Sequence, residues 1–103
     1  MTAASAERTS FGCQADNDWT FFGDALVNNA LRKPQSLTAA TAEARTTIAG
    51  WESSNRLEAS QPQIAFGTGV SQWLDPLEAR IPRAATQPVG APSVNSLPRV
   101  AGR

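Results

Sequence analysis

The stretch "WTFFGDALVNNALRKPQSLTAATAEARTTIAGWE", Trp19 to Glu52, carries the two helical patterns on which a reading of this chain turns. Its second half is the plainer one. Leu37, Ala40, Ala44, Ile48 and Trp51 recur at the three-and-four spacing of a single buried stripe, while Thr41, Glu43, Arg45 and Glu52 fall on other faces. Ser36 stands in front of the pattern as an N-cap, so a helix is expected from about Leu37 to Ser53. In the first half, Asp18 offers a side-chain oxygen to cap a helix from about Trp19 to Arg32, with Phe22, Ala25, Leu26 and Asn29 on one face and Phe21 beside it. Lys33-Pro34 ends that helix, because the residue before proline is pushed out of helical space. Gly23 inside it costs about 1 kcal/mol relative to alanine, which points to a close approach to the backbone or to an irregular first turn. Of Asn28 and Asn29, one is expected exposed and the other partly buried.

Around these helices the signals thin out. Met1 to Ser5 is small and β-tolerant, fit for the end of a buried strand, and Glu7 to Asn17 reads as a loop with Gly12, Asp16 and Asn17 as turn-formers. After the loop "SNRLEASQPQ", Ile64 to Phe66 is a short strand candidate, entered after Pro62 and ended by Gly67 and Gly69. The three tryptophans, Trp19, Trp51 and Trp73, are expected in the core or at its edge. From about Leu77 the chain changes character: the stretch from Arg80 to Arg103 holds four of the seven prolines, no acidic residue and no amphipathic period. Such a segment buries too little to offset the entropy of ordering it, so 77–103 is expected to be a disordered tail whose arginines are solvated charges.

The bulk numbers narrow the function classes. With 103 residues there is room for one domain. Nine basic and nine acidic residues leave no net charge to attract nucleic acid or an anionic membrane. No apolar run approaches the roughly 18–20 residues of a membrane-spanning helix, and the N-terminal stretch has neither the basic start nor the apolar core of a signal peptide. A single cysteine, Cys13, excludes an internal disulfide. The chain contains no histidine, so the usual base for a nucleophilic thiol is not available to Cys13. No metal-ligand cluster or cofactor motif is recognised, and none is expected.

Two features of the N-terminal half carry a resemblance. The pattern "TAAS-ERTSFGC" followed by "W-T-FFGDAL--NAL", Thr2 to Leu31, resembles a segment of the legumain family of cysteine peptidases, which have a caspase-like fold. In that family an apolar strand ends in Thr-Ala-Ala, a Ser-rich loop closes on a cysteine, and an aromatic-x-Gly-Asp helix start follows. The stretch "SLTAATAEARTTIAGWE", with "SQPQIAFG" after it, is similar to the next helix and final strand of bacterial relatives, so the resemblance spans about Met1 to Gly69. It implies an α/β architecture: the C-terminal part of a caspase-like fold, with two amphipathic helices and two short strands in residues 1–76 and the tail beyond. It also implies that the catalytic histidine and cysteine lie in a part of the family fold that precedes these residues, and that Cys13 matches a non-attacking cysteine of the substrate-pocket loop. Read without the family, Cys13 is a small buried residue.

What the resemblance assigns to this chain is a share of a substrate pocket. Asp24, in "FGDAL", matches the acidic residue lining the specificity pocket, and Thr9 and Ser10 match hydroxyl residues of its wall. A carboxylate and two hydroxyls suit a small polar side chain such as asparagine, because an apolar one would leave them unpaired. The expected function is therefore that of the C-terminal part of a legumain-like cysteine endopeptidase. It would supply pocket residues for a peptide substrate, be inactive alone without the catalytic pair, and need the missing sheet or a partner to fold. The alternative, from a different class, is a small non-catalytic α-rich protein that binds a partner through its apolar helix faces. On general grounds Asp24 is then a first-turn acid favoured by the helix dipole, and Thr9 and Ser10 bond their own loop backbone.

Overall fold

The structure, a computed structural model, describes residues 1–80 and 87–90. Helices dominate them. The second, α2, spans Leu37–Ser54 and begins where the sequence places it, with the Ser36 side chain accepting from the Ala39 N–H at 3.1 Å. Ala40, Ala44 and Ile48 of the expected stripe are buried, and Trp51 packs against them half-buried. Small side chains at this seam let the first helix approach closely, so Ala25 and Ala30 join the same cluster, flanked by Phe22, Leu26 and Leu31. Phe21 meets Trp51 edge-on, with ring centroids 5.5 Å apart. Two residues assigned to the outer faces of α2 are in fact buried. Thr41 returns its hydroxyl to the Thr38 carbonyl at 2.9 Å, and Glu52 takes the Ser60 N–H on Oε2 at 3.0 Å.

The first helix departs from the expected regular form. Its cap is Thr20, whose hydroxyl accepts from Gly23 N–H at 3.2 Å, rather than Asp18. A single α turn, α1, covers Phe21–Gly23; the backbone then widens into a π-helical stretch over Asp24–Asn29 and tightens into a 3-10 turn over Ala30–Arg32. The irregularity that Gly23 suggested is thus present, one residue further on. Ahead of α1, Gly12 fixes the approach of the loop. Its φ is +98°, and an added Cβ would lie 2.5 Å from the Phe21 nitrogen, which itself donates to the Phe11 carbonyl at 3.0 Å.

The expected α/β, partial caspase-like architecture is corrected by this structure: among the described residues there is no strand and no sheet. Met1–Ser5 and Ile64–Phe66 meet only through an isolated antiparallel bridge between Thr2 and Gln63, with a further bond from Ser5 N–H to the Ser60 carbonyl at 2.9 Å. Gln61 sits at φ 54°, which turns the chain out of register beside the bridge and stops a ladder from forming. A third helix, α3, runs over Val70–Arg80, past the boundary expected at Leu77. Pro76 within it donates no bond to the carbonyl four residues back. None of its residues is buried, and Trp73, expected in or near the core, is 83% exposed. Glu78 ties α3 to α2: its Oε1 accepts from the Leu37 N–H at 3.0 Å, placing a carboxylate on an open donor of the first turn of α2. Of the expected tail, 77–80 belong to α3 and 87–90 are described; 81–86 and 91–103 lie outside the described residues. Among the described residues no helix is long and apolar enough to cross a membrane.

Candidate functional site

The widened turn of the first helix gathers its polar residues on one side. In an α-helix the neighbours of Asp24 would be the residues three and four further along. In a π turn the fifth is brought round as well. Asn28 and Asn29 therefore both reach Asp24: their Nδ2 groups donate to its Oδ1 at 2.9 and 2.8 Å, and Asn29 Nδ2 also caps the Asp24 carbonyl at 2.7 Å. Asp24 and Asn28 are 3% and 2% exposed, so the pair is fully inside. The expectation of one exposed and one partly buried asparagine is corrected: Asn28 is buried and Asn29 half-buried. The helix makes room for this network by giving up regular bonding. Where the helix closes, the Ala30 N–H is shared between the Ala25 and Leu26 carbonyls.

Asn28 has further valences, and a distant piece of chain uses them. Its Nδ2 donates to the Val89 carbonyl at 2.8 Å, and its Oδ1 accepts the Val89 N–H at 2.7 Å. The N–H and C=O of one residue point to the same side only where the chain is extended, as in the paired residues of an antiparallel ladder. The Asn28 carboxamide thus stands in for a neighbouring strand. Trp19 Nε1 donates to the same Val89 carbonyl at 2.9 Å, and Arg32 Nη1 reaches the Gln87 carbonyl at 3.2 Å. Gln87 and Val89, two apart, face the same way, which leaves Pro88, without an N–H to offer, facing elsewhere. Every one of these bonds is to main chain.

Asp24 gives the clamp its sense. A carboxamide can be turned over, exchanging donor for acceptor; the accepting Oδ1 of Asp24 beside one edge selects the orientation in which Nδ2 faces it. That orientation leaves the second N–H and the oxygen of Asn28 directed at Val89. Asp24 is therefore a positioning residue within the first helix, tied to two asparagines. Thr9 and Ser10, assigned with it to one pocket wall, are exposed loop residues, and no hydrogen bond joins either side chain to Asp24. Cys13 is a free thiol and exposed, not buried. Among the described residues no group of His, Cys, Asp and Glu is placed to hold a metal ion.

Sequence reasoning missed Asn28, Trp19 and the segment 87–90 as parts of one site. The available signal was Pro88-Val89-Gly90, a proline–glycine group inside a stretch read as a disordered tail. A second concavity, of about 690 Å³, lies along α2 and the loop after it, between Arg45, Glu52, Gln61 and Gln63. Glu52 Oε1 and, beside it, Ser60 Oγ are buried with no hydrogen-bond partner among the described residues. Comparison of the chain with protein-family models, curated proteins and solved structures finds no match.

Proposed function

We propose that this chain is a non-catalytic, helix-built peptide-binding protein that holds an extended polypeptide by its main chain. The observation that carries the reading is the Asn28 carboxamide meeting both the N–H and the C=O of Val89, with Trp19 completing the second lone pair of that carbonyl. Two donors and one acceptor stand at hydrogen-bond distance, and Asn28 is anchored from inside by its buried bond to Asp24, so little freedom is lost on engaging a peptide. The Val89 side chain, 49% exposed, is not read, so the affinity resides in the backbone. Amide exchange followed by NMR tests this directly. The Val89 amide is expected to be protected in the parent chain and to exchange at the rate of a free peptide in Asn28→Ala; equal, rapid exchange in both removes the reading.

A second reading is favoured by one observation. Asp24, which the legumain resemblance assigns to a specificity pocket, lies one turn from the residue that grips a peptide unit. On this reading the chain supplies peptide-positioning residues to a legumain-like endopeptidase whose attacking thiol and base are on other residues. The 103-residue chain alone is then expected to show no turnover of asparagine-containing peptides. Thiol-dependent cleavage abolished by Cys13→Ala would overturn both readings.

A further inference from the structure

We infer that the Asn28 clamp selects a segment of the form x-Pro-x-Gly, with glycine required directly after the gripped residue, and that Gln87–Gly90 of this same chain is its resident ligand. The inference rests on the peptide-binding reading and specifies what the site takes. Three features of the segment fit the clamp in turn. Gln87 precedes a proline, which biases it to the extended conformation in which its carbonyl meets Arg32. Pro88 lies between the two gripped residues, where a missing N–H costs the clamp no bond, and its fixed φ removes freedom the segment would otherwise lose on docking. Gly90 follows the gripped residue with φ +83°, and a Cβ there would lie 2.7 Å from Trp19 Nε1 and 2.8 Å from Asp18 Oδ2. Any other residue at that position meets a steric and a conformational penalty together. Moving Trp19 aside to relieve the clash would break its bond to the Val89 carbonyl, so accommodation and grip exclude each other.

The gripped position itself is permissive. Val89 is held through its N–H and C=O and stays 49% exposed, so the residue between proline and glycine has room to vary. Of the seven prolines in the chain, Pro88 alone is followed two residues later by glycine, so the chain carries one internal ligand for its own site. Tethering holds that ligand near the clamp at an effective concentration on the order of millimolar, and an external peptide has to displace it.

The test uses the full chain and a fluorescent hexapeptide, Thr-Gln-Pro-Val-Gly-Ala, followed by polarisation. Gly90→Ala in the chain is expected to release the resident segment and to raise affinity for the peptide about tenfold or more over the parent. On that variant, the same peptide with alanine in place of its glycine is expected to bind at least about tenfold more weakly. A version with serine in place of its valine should bind within about twofold of the original. Equal binding of the glycine and alanine peptides overturns the selectivity and leaves the peptide-binding reading intact. Binding of neither also overturns it, and Val89 amide exchange in the parent then decides the reading beneath: protection lost in Asn28→Ala keeps the clamp, and absence of protection removes it.

Discussion

The two packed helices solve the same problem in opposite ways. α2 is long and regular, and the face it turns to the first helix is a stripe of Ala40, Ala44 and Ile48 that asks of its partner only an apolar surface. The first helix, twelve residues from Phe21 to Arg32, changes winding twice and buries Asp24 and Asn28 beside its alanines. A regular helix satisfies its backbone by itself, whereas the widened turn needs Asn29 on the Asp24 carbonyl. The lesson is that helical period marks where a helix packs, and its interruption marks where a helix has been reshaped to hold something.

That contrast can be broken at its root. Gly12→Ala is expected to have the largest effect, about 3 kcal/mol of destabilisation, because its Cβ would collide with the backbone at the start of the first helix. Chemical denaturation should show a lower midpoint, and loss should be concentrated in amide protection of the first helix rather than of α2. Asp24→Ala removes an acceptor shared by two asparagines and is expected to cost about 2 kcal/mol, together with the protection of the Val89 amide. Asp24→Asn should recover part of the stability, since its oxygen can still accept, but less of the protection at Val89, because a neutral amide no longer fixes the orientation of Asn28. If Asp24→Ala left Val89 protected, the positioning role would fall while the clamp stood.

Smaller changes sharpen the other side of the comparison. Ser36→Ala removes the cap of α2 and is expected to cost about 1 kcal/mol, read as a shift in the denaturation midpoint with no change at Val89. The smallest effect concerns Glu43 on α2, which pairs with Lys33 and accepts from Gln35 Nε2 at 2.9 Å. The Lys33 ammonium and the Gln35 amide hold its carboxyl below the ordinary carboxylate value. The folded chain therefore binds fewer protons here than the unfolded one as the medium becomes acidic. The stabilisation is complete above the ordinary glutamate range and is lost as pH falls through the lowered folded value. For a pair largely open to solvent this amounts to less than about 1 kcal/mol. Glu43→Gln should flatten the acid limb of the stability curve by that amount; an unchanged limb would show the pair contributes nothing.

Legibility followed the range of the interactions. The bounds of α2, its cap and its stripe are set by neighbours within a turn, and the sequence displays them. α3 left a mark as well, in the helical spacing of Val70, Trp73, Leu74 and Leu77, but it was passed over. The strands were misread because β-propensity over three to five residues says nothing about whether a partner ladder exists; here Gln61 turns the chain away after one bridge. Of the candidate site, Asp24 was singled out with Thr9 and Ser10 as pocket residues, and its bonds to Asn28 and Asn29 were not foreseen. Glu52 was assigned to an outer face, because its burial depends on the loop that returns Ser60 over it.

By itself the sequence determined the stop at Pro34, the α2 helix and its alanine seam, and the absence of a histidine to serve a thiol. Those are local or compositional facts, fixed by residues adjacent along the chain. Only the tertiary structure decided that Asn28 and Val89, sixty-one positions apart, are joined by two hydrogen bonds. A main-chain N–H and C=O look alike at every residue, so a site built to grip backbone leaves little mark on the sequence of the segment it holds, beyond the glycine that lets the two come together.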